Sequence, residues 1–159
     1  MTTAKDIMST SPICVAPDHS IKDTARLFLE KDISGAPVLD ASGKLVGIIT
    51  KKDIIDTIKE LKLPRMINLF DAIIYLENTE EYNHELGKIS AVQVAEAMTR
   101  KVVTVDPQTD IAKVAGILSE SHVHMVPVVD EGNRVQGIVS TTDIMRAIAY
   151  DNGNKGDNQ

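Results

Sequence analysis

Two short runs in the chain pair a hydroxyl residue with a carboxylate three positions later: Gly47-Ile48-Ile49-Thr50-Lys51-Lys52-Asp53 and Gly137-Ile138-Val139-Ser140-Thr141-Thr142-Asp143. Both have the form Gly-x-x-[Ser/Thr]-x-x-Asp behind β-branched residues, so each reads as a strand that ends at the hydroxyl where a helix begins. Backbone N–H groups and the positive end of the helix dipole then face outward, which suits a phosphate. The carboxylate can accept hydrogen bonds from the 2′ and 3′ hydroxyls of a ribose. Hydroxyl plus carboxylate therefore reads as a site for a nucleoside phosphate. The same residues also read as N-terminal capping boxes, with Asp in place of the usual Glu or Gln. The residues alone leave both readings open.

Other chemistry has less support. His122 and His124 are two apart at the start of an expected strand, so they should point to opposite faces, and His19 and His84 are distant in sequence. No metal site is expected. Cys14 is the only cysteine. No intramolecular disulfide or Cys-rich zinc cluster can form, and a reducing compartment fits. In its apolar setting Cys14 reads as a small buried hydrophobe, with ligand contact open. No His or Cys stands with a general base in both runs and no Walker-type loop occurs, so the chain is not expected to be an enzyme.

These runs must be held by a small fold. The 159 residues are 43% hydrophobic, enough for one ordinary domain or two small halves. With 17 Lys+Arg against 23 Asp+Glu the net charge is −6, so nucleic acid is not an expected partner. Aromatics are 3% with no Trp, which removes a base-stacking platform and makes the core aliphatic. Neither a signal-peptide core nor a run of about 20 apolar residues occurs. A cytoplasmic protein with no membrane association is expected.

A shift of 90 positions aligns 4–58 with 94–148 without a gap. Identical pairs include Met8/Met98, Val15/Val105, Pro17/Pro107, Pro37/Pro127, Val38/Val128, Asp40/Asp130, Gly47/Gly137 and Asp53/Asp143. Each copy reads as strand, helix, strand, strand, helix. Ile13-Cys14-Val15 and Val102-Val103-Thr104-Val105 are the expected first strands. Ser20 can cap a helix with Asp23 three residues on, and Ile21, Ala25, Phe28 and Leu29 fall on one helical face, matched by Ile111, Ala115 and Leu118. Pro37-Val38-Leu39 and Leu45 to Ile49 form a hairpin around Asp40-Ala41-Ser42-Gly43, repeated at Pro127 to Val139. One copy of about 55 residues buries too little alone, so two α/β (α+β) βαββα copies are expected to pack as a pseudo-twofold pair.

The expected domains are 1–62 and 94–150. Between them, 63–93 is apolar rather than Gly- or Ser-rich. Pro64 should end the preceding helix, and Met66, Ile67, Leu69, Phe70, Ile73, Ile74 and Leu76 predict a helix over 65–77. That helix serves core or dimer packing, or docks a receptor. The tail 151–159 has no apolar residue and is expected to be disordered.

The repeat, the two Pro-Val pairs and the two Gly-x-x-[Ser/Thr]-x-x-Asp runs together resemble a pair of CBS (cystathionine β-synthase) domains, a Bateman module, over 4–58 and 94–148. The resemblance implies two clefts between the domains that bind adenine nucleotides or related adenosyl ligands. One would combine Asp143, Ser140 and Thr142 with Val123, His124, Met125, Ser9 and Ile13, with His124 as a phosphate contact. The other would combine Asp53, Thr50 and Lys52 with Ile33, Ser34, Ala36, Thr99 and Val103. Asp would hold the ribose. Around Asp53 the sequence departs from its partner: Ser34-Gly35 replaces His124-Met125, and Lys51, Lys52, Arg100 and Lys101 are near. If these cations point inward the Asp53 site favours more phosphates; if they lie on the solvated face it does not.

The resemblance implies a regulatory module that senses AMP, ADP or ATP, changes conformation or dimer arrangement, and signals to a protein target, with a homodimer as the expected assembly. The alternative is an interaction or assembly module without a physiological nucleotide. A fragment of a larger enzyme is a third reading, against which Met1 and the polar tail around an ungapped pair argue.

Overall fold

Ser20 ends an extended segment and its hydroxyl accepts from the Asp23 N–H at 3.1 Å, while the Asp23 carboxylate accepts from the same hydroxyl at 2.9 Å. This reciprocal cap starts a helix at Ile21. In the computed structural model residues 1–60 and 87–150 are described; the helix expected over 65–77, the end of the preceding helix at Pro64 and the tail 151–159 lie outside them. The elements are α1 (Ala4–Ile7), β1 (Ser9–Thr10), α2 (Ile21–Lys31), β2 (Gly35–Leu39), β3 (Leu45–Thr50), α3 (Lys51–Glu60), α4 (Val94–Ala97), α5 (Ile111–Glu120), β4 (Met125–Val129), β5 (Val135–Ser140) and α6 (Thr141–Tyr150).

Packing does not follow chain order. Ile13–Lys101 forms one compact unit, and Met1–Pro12 joins Val102 and the residues after it in another. In the first, β2 and β3 pair antiparallel with Pro37 opposite Ile48 and Ala36 opposite Ile49. The turn is tied by the Asp40 carboxylate, which accepts from the N–H groups of Ser42 and Lys44 at 2.9 and 3.0 Å. The Ser42 hydroxyl, which donates to the same oxygen at 2.7 Å, and then these backbone bonds hold the Asp40 carboxyl below its ordinary range. Gly43 takes φ 82° at the tip. Val15 makes a parallel bridge to Val38 on one edge, and Thr99 bridges Ile48 on the other. The core contains Ile21, Phe28, Val38, Ile49, Val94 and Met98.

The second unit repeats this plan. β4 and β5 pair with Pro127 opposite Ile138, and Asp130 ties the turn through Gly132 and Arg134. Asn133, at φ 59°, stands where the first copy has Gly43; Asn tolerates this left-handed conformation better than other side chains. β1 adds to the outer edge of β5, with Ser9 opposite Ile138 and Thr10 opposite Gly137. The segment before it is bonded to the second copy: Ala4 N–H donates to Thr109 O at 2.8 Å, Lys5 N–H to Pro107 O at 2.9 Å and Ile111 N–H to Thr2 O at 3.0 Å. Ala4 is fully buried there beside Val114, Val126, Val128 and Val139.

Two expectations are corrected. The first strands reduce to single bridge residues, Val15 and Val105, because Pro17 and Pro107 follow within two residues and cannot donate to a ladder. Leu29 is 78% exposed rather than on the buried face. Thr24 is buried in its stead, its hydroxyl bonded to Ser20 O at 2.9 Å. That internal partner removes the cost of burying a hydroxyl.

Candidate functional site

Asp143 is buried at the start of α6. Its Oδ2 accepts from the Ser140 N–H at 2.8 Å and the Ser140 hydroxyl at 2.6 Å, and its own N–H donates to Ser140 Oγ at 3.2 Å. Asp53 repeats the arrangement with Thr50 at 2.8, 3.0 and 3.3 Å. Both runs are therefore capping boxes in fact. The second carboxylate oxygen is used differently in the two copies. Asp143 Oδ1 accepts from Arg146 Nη1 at 3.0 Å, whereas Asp53 Oδ1 accepts from Thr99 Oγ1 at 3.3 Å. A carboxylate offers about four acceptor positions, so Oδ1 keeps capacity that the box does not use.

The expectation of outward-facing N–H groups at these helix starts is corrected for two residues of each first turn. The Lys51 N–H donates to Ser34 O and the Thr141 N–H to His124 O, each at 2.9 Å, and the Asp53 and Asp143 N–H groups meet the motif hydroxyls. The first-turn donors named here are satisfied inside the protein. In each run the carboxylate Oδ1 keeps acceptor capacity that a ligand can use.

The glycine of each run has a steric cause. An added Cβ on Gly47 would stand 2.5 Å from Met98 Sδ, and one on Gly137 2.6 Å from Met8 Sδ and 2.8 Å from Ser9 O. The segments Met8-Ser9 and Met98-Thr99 cross directly over these glycines. Thr99 N–H and O pair with Ile48 O and N–H at 2.9 Å, and this crossing brings the Thr99 hydroxyl to Asp53.

Ser140, Thr142, Val123, His124, Met125 and Ser9 lie in the same unit as Asp143, but Val123 and His124 line a different cavity from the one that Asp143 borders; Ile13 belongs to the other unit. Thr50, Lys52, Ile33, Ser34, Ala36 and Thr99 lie in the same unit as Asp53, where Thr50 and Thr99 bond its carboxylate, with Val103 in the other unit. Ala36 is fully buried in its core. Lys52 is 82% exposed and ion-paired with Asp56, a contact that raises the ammonium above its ordinary range. Arg100 donates to Ala95 O at 3.0 Å. Lys51 and Lys101 are exposed, so these cations take the solvated alternative rather than gathering at Asp53.

His122 and His124 precede β4, and both line one cavity of about 520 Å³ with Leu118, Val123, Thr141 and Ile144. The expectation of opposite faces is corrected because the alternation of a strand starts only at Met125, and His122 has φ 53°. A second cavity of about 460 Å³ is bordered by Asp143, Arg146, Asp6, Ile7, Ile111 and Tyr150. The Asp6 carboxylate is turned onto the Thr3 N–H and hydroxyl, each at 2.8 Å, and the Thr3 backbone bond, ahead of the hydroxyl bond, holds its carboxyl below the ordinary range. Sequence reasoning missed Arg146. Its spacing of three from Asp143 on a helix was the available signal. Among the described residues, no group of three or more His, Cys, Asp or Glu could hold a metal ion, and no helix is long and apolar enough to cross a membrane.

The family model for the CBS domain matches residues 4–60 and 94–150. The chain belongs to the CBS domain family. It carries two CBS domains in tandem, and its mixed helix and strand architecture is that of solved CBS pairs. Protein MJ1426 of Methanocaldococcus jannaschii is 36% identical over 151 residues, covering 91% of this chain and 89% of that protein. Among solved structures, the CBS domain pair of protein MJ0100, in complex with 5′-methylthioadenosine and S-adenosyl-L-methionine, is 31% identical with a TM-score of 0.71, covering 92% of this chain and 99% of that one. Protein MJ1225 of Methanocaldococcus jannaschii, described as a putative archaeal homologue of the AMP-activated kinase gamma subunit, is 27% identical with a TM-score of 0.73, covering 92% of this chain and 47% of that one.

Proposed function

We propose that this CBS pair is a non-catalytic regulatory module that binds adenine nucleotides of the AMP, ADP or ATP type, with Asp143 and Asp53 as the ribose-holding groups. The observation that carries the reading is the repeated carboxylate. In each copy Oδ2 is spent on the capping box, which fixes the carboxylate's orientation, while Oδ1 retains acceptor capacity for a diol. The likeness to a CBS pair solved with two adenosyl compounds supports the ligand class.

Around Asp143 the proposed contacts are Ser140, Thr142, Val123, His124, Met125, Ser9 and Ile13; around Asp53 they are Thr50, Lys52, Ile33, Ser34, Ala36, Thr99 and Val103. Binding would stabilise one conformation or dimer arrangement over another, and a protein target would read the difference. The proposed assembly is a homodimer, supported by apolar side chains left exposed at matching positions of the two copies, Ile55 and Met145.

Thermal unfolding against adenine nucleotides, adenosyl compounds and guanine controls tests the reading. A ligand at about 100 times its Kd stabilises the native state by about 2.7 kcal/mol. The expected result is a shift selective for adenine nucleotides that Asp143→Ala reduces, measured from the variant's own baseline because loss of the box costs about 1 kcal/mol by itself. No shift with any compound, together with a stable partner in pull-downs, would favour an assembly module.

A further inference from the structure

Arg146 distinguishes the two motif carboxylates. It reaches Asp143 Oδ1 at 3.0 Å, with its side chain 63% exposed and the Asp143 side chain 8% exposed. The 90-residue shift puts Asp56 at the corresponding position of the first copy. Asp56 is itself an acid, and it draws Lys52 away along the outside of α3. The segment preceding the crossing carries an acid in both copies, Asp6 bonded to Thr3 and Glu96 bonded to the Gln93 N–H at 3.1 Å. That charge does not separate the sites. What separates them is a cation on one carboxylate and a hydroxyl, Thr99, on the other.

A ribose diol that takes both acceptor positions of Oδ1 must displace the group already there. At Asp53 the displaced group is a neutral hydroxyl held at 3.3 Å. At Asp143 it is a guanidinium, which is left without its carboxylate unless the ligand supplies an anion. We propose that Arg146 is the specificity-determining residue of the Asp143 site: released by the ribose, it pairs with a phosphate on the ligand. The Asp143 site thus selects anionic adenosyl ligands, and the Asp53 site, with Asp56 at the matching position, selects neutral or cationic ones. This inference rests on the ribose-holding role proposed for the two aspartates.

The test is calorimetric titration of the full chain with AMP and with 5′-methylthioadenosine, which share the adenosine moiety and differ in the phosphate. An Asp53→Asn background isolates the Asp143 site. Arg146→Gln is expected to weaken AMP about tenfold and 5′-methylthioadenosine less than twofold, and Arg146→Lys to retain most of the AMP preference. Equal weakening of both ligands would mean that Arg146 only steadies Asp143, and no weakening of AMP would remove it from the site; either overturns the inference and leaves the ribose assignment standing. A wild-type chain that binds neither compound overturns both.

Discussion

At the scale of single residues, the two motif glycines make a sharper prediction than the aspartates because their neighbours differ. A Cβ on Gly137 would meet Ser9 O at 2.8 Å, a backbone atom that moves only if β1 moves, whereas at Gly47 the nearest backbone atom is Thr99 O at 3.1 Å and the closest contact is the flexible Met98 side chain. Gly137→Ala should therefore lose about 3 kcal/mol in urea unfolding and Gly47→Ala about 1 kcal/mol. Adding Met98→Ala should relieve much of the clash at Gly47, while Met8→Ala should not restore Gly137→Ala. Equal costs for the two glycine variants would refute the crossing-strand account. The repeat made Met8/Met98, Gly47/Gly137 and Asp53/Asp143 visible as pairs, yet their mutual contacts were hidden, since nothing in a local pattern says which remote side chain lies on a glycine. Leu29 misled for a related reason: it and Thr24 both fit a helical period, and only a local partner for the Thr24 hydroxyl made Thr24 the better core residue.

At the scale of elements, the helices and hairpins were legible because their signals are local. Ser20 with Asp23, the Asp40 and Asp130 turns, and the change of period at Thr50 and Ser140 each act within four residues. The opening segments of the copies were not legible. Ala4, Ile7 and Met8 are too few to show a period, and their partners are β5, α6 and the backbone at the start of α5, far along the chain. Their packing carries a prediction about separate stability. Deleting residues 1–10 removes three backbone hydrogen bonds to Thr109, Pro107 and Ile111, the β1 pairing, and buried Ala4. At about 1 kcal/mol per hydrogen bond the loss is on the order of 3 kcal/mol. Amide hydrogen exchange should read it as protection falling by roughly a hundredfold over 105–150, with 15–58 nearly unchanged. A uniform fall over both ranges, or none, would contradict the pairing of the first twelve residues with the second copy.

At the scale of the whole molecule, the question is what covers the apolar side chains that the described residues leave in water. Leu29, Ile55, Met145, Ile148 and Tyr150 are each more than 60% exposed, and large exposed apolar groups that recur at corresponding positions are uncommon on a surface that meets only solvent. Ile55 and Met145 correspond under the 90-residue shift, whereas Ile58, the counterpart of Ile148, packs against the core of its own unit. Duplication has kept Ile55 and Met145 apolar on the last helix of each copy, α3 and α6, while the neighbouring positions changed charge from Asp56 to Arg146. A self-complementary interface asks for such a pattern, because a twofold axis brings one surface against its own image. The proposed homodimer then predicts a sedimenting species of twice the 17.3 kDa chain mass. A Met145→Glu, Ile148→Lys double variant should shift it to the monomer while the circular dichroism spectrum is kept, since neither side chain contributes to the buried core. Its melting temperature should lose the concentration dependence that the wild type shows, as linkage of folding to association requires. A wild type that sediments as a monomer at tens of micromolar would remove the dimer, and a double variant that remains dimeric would move the interface away from α6.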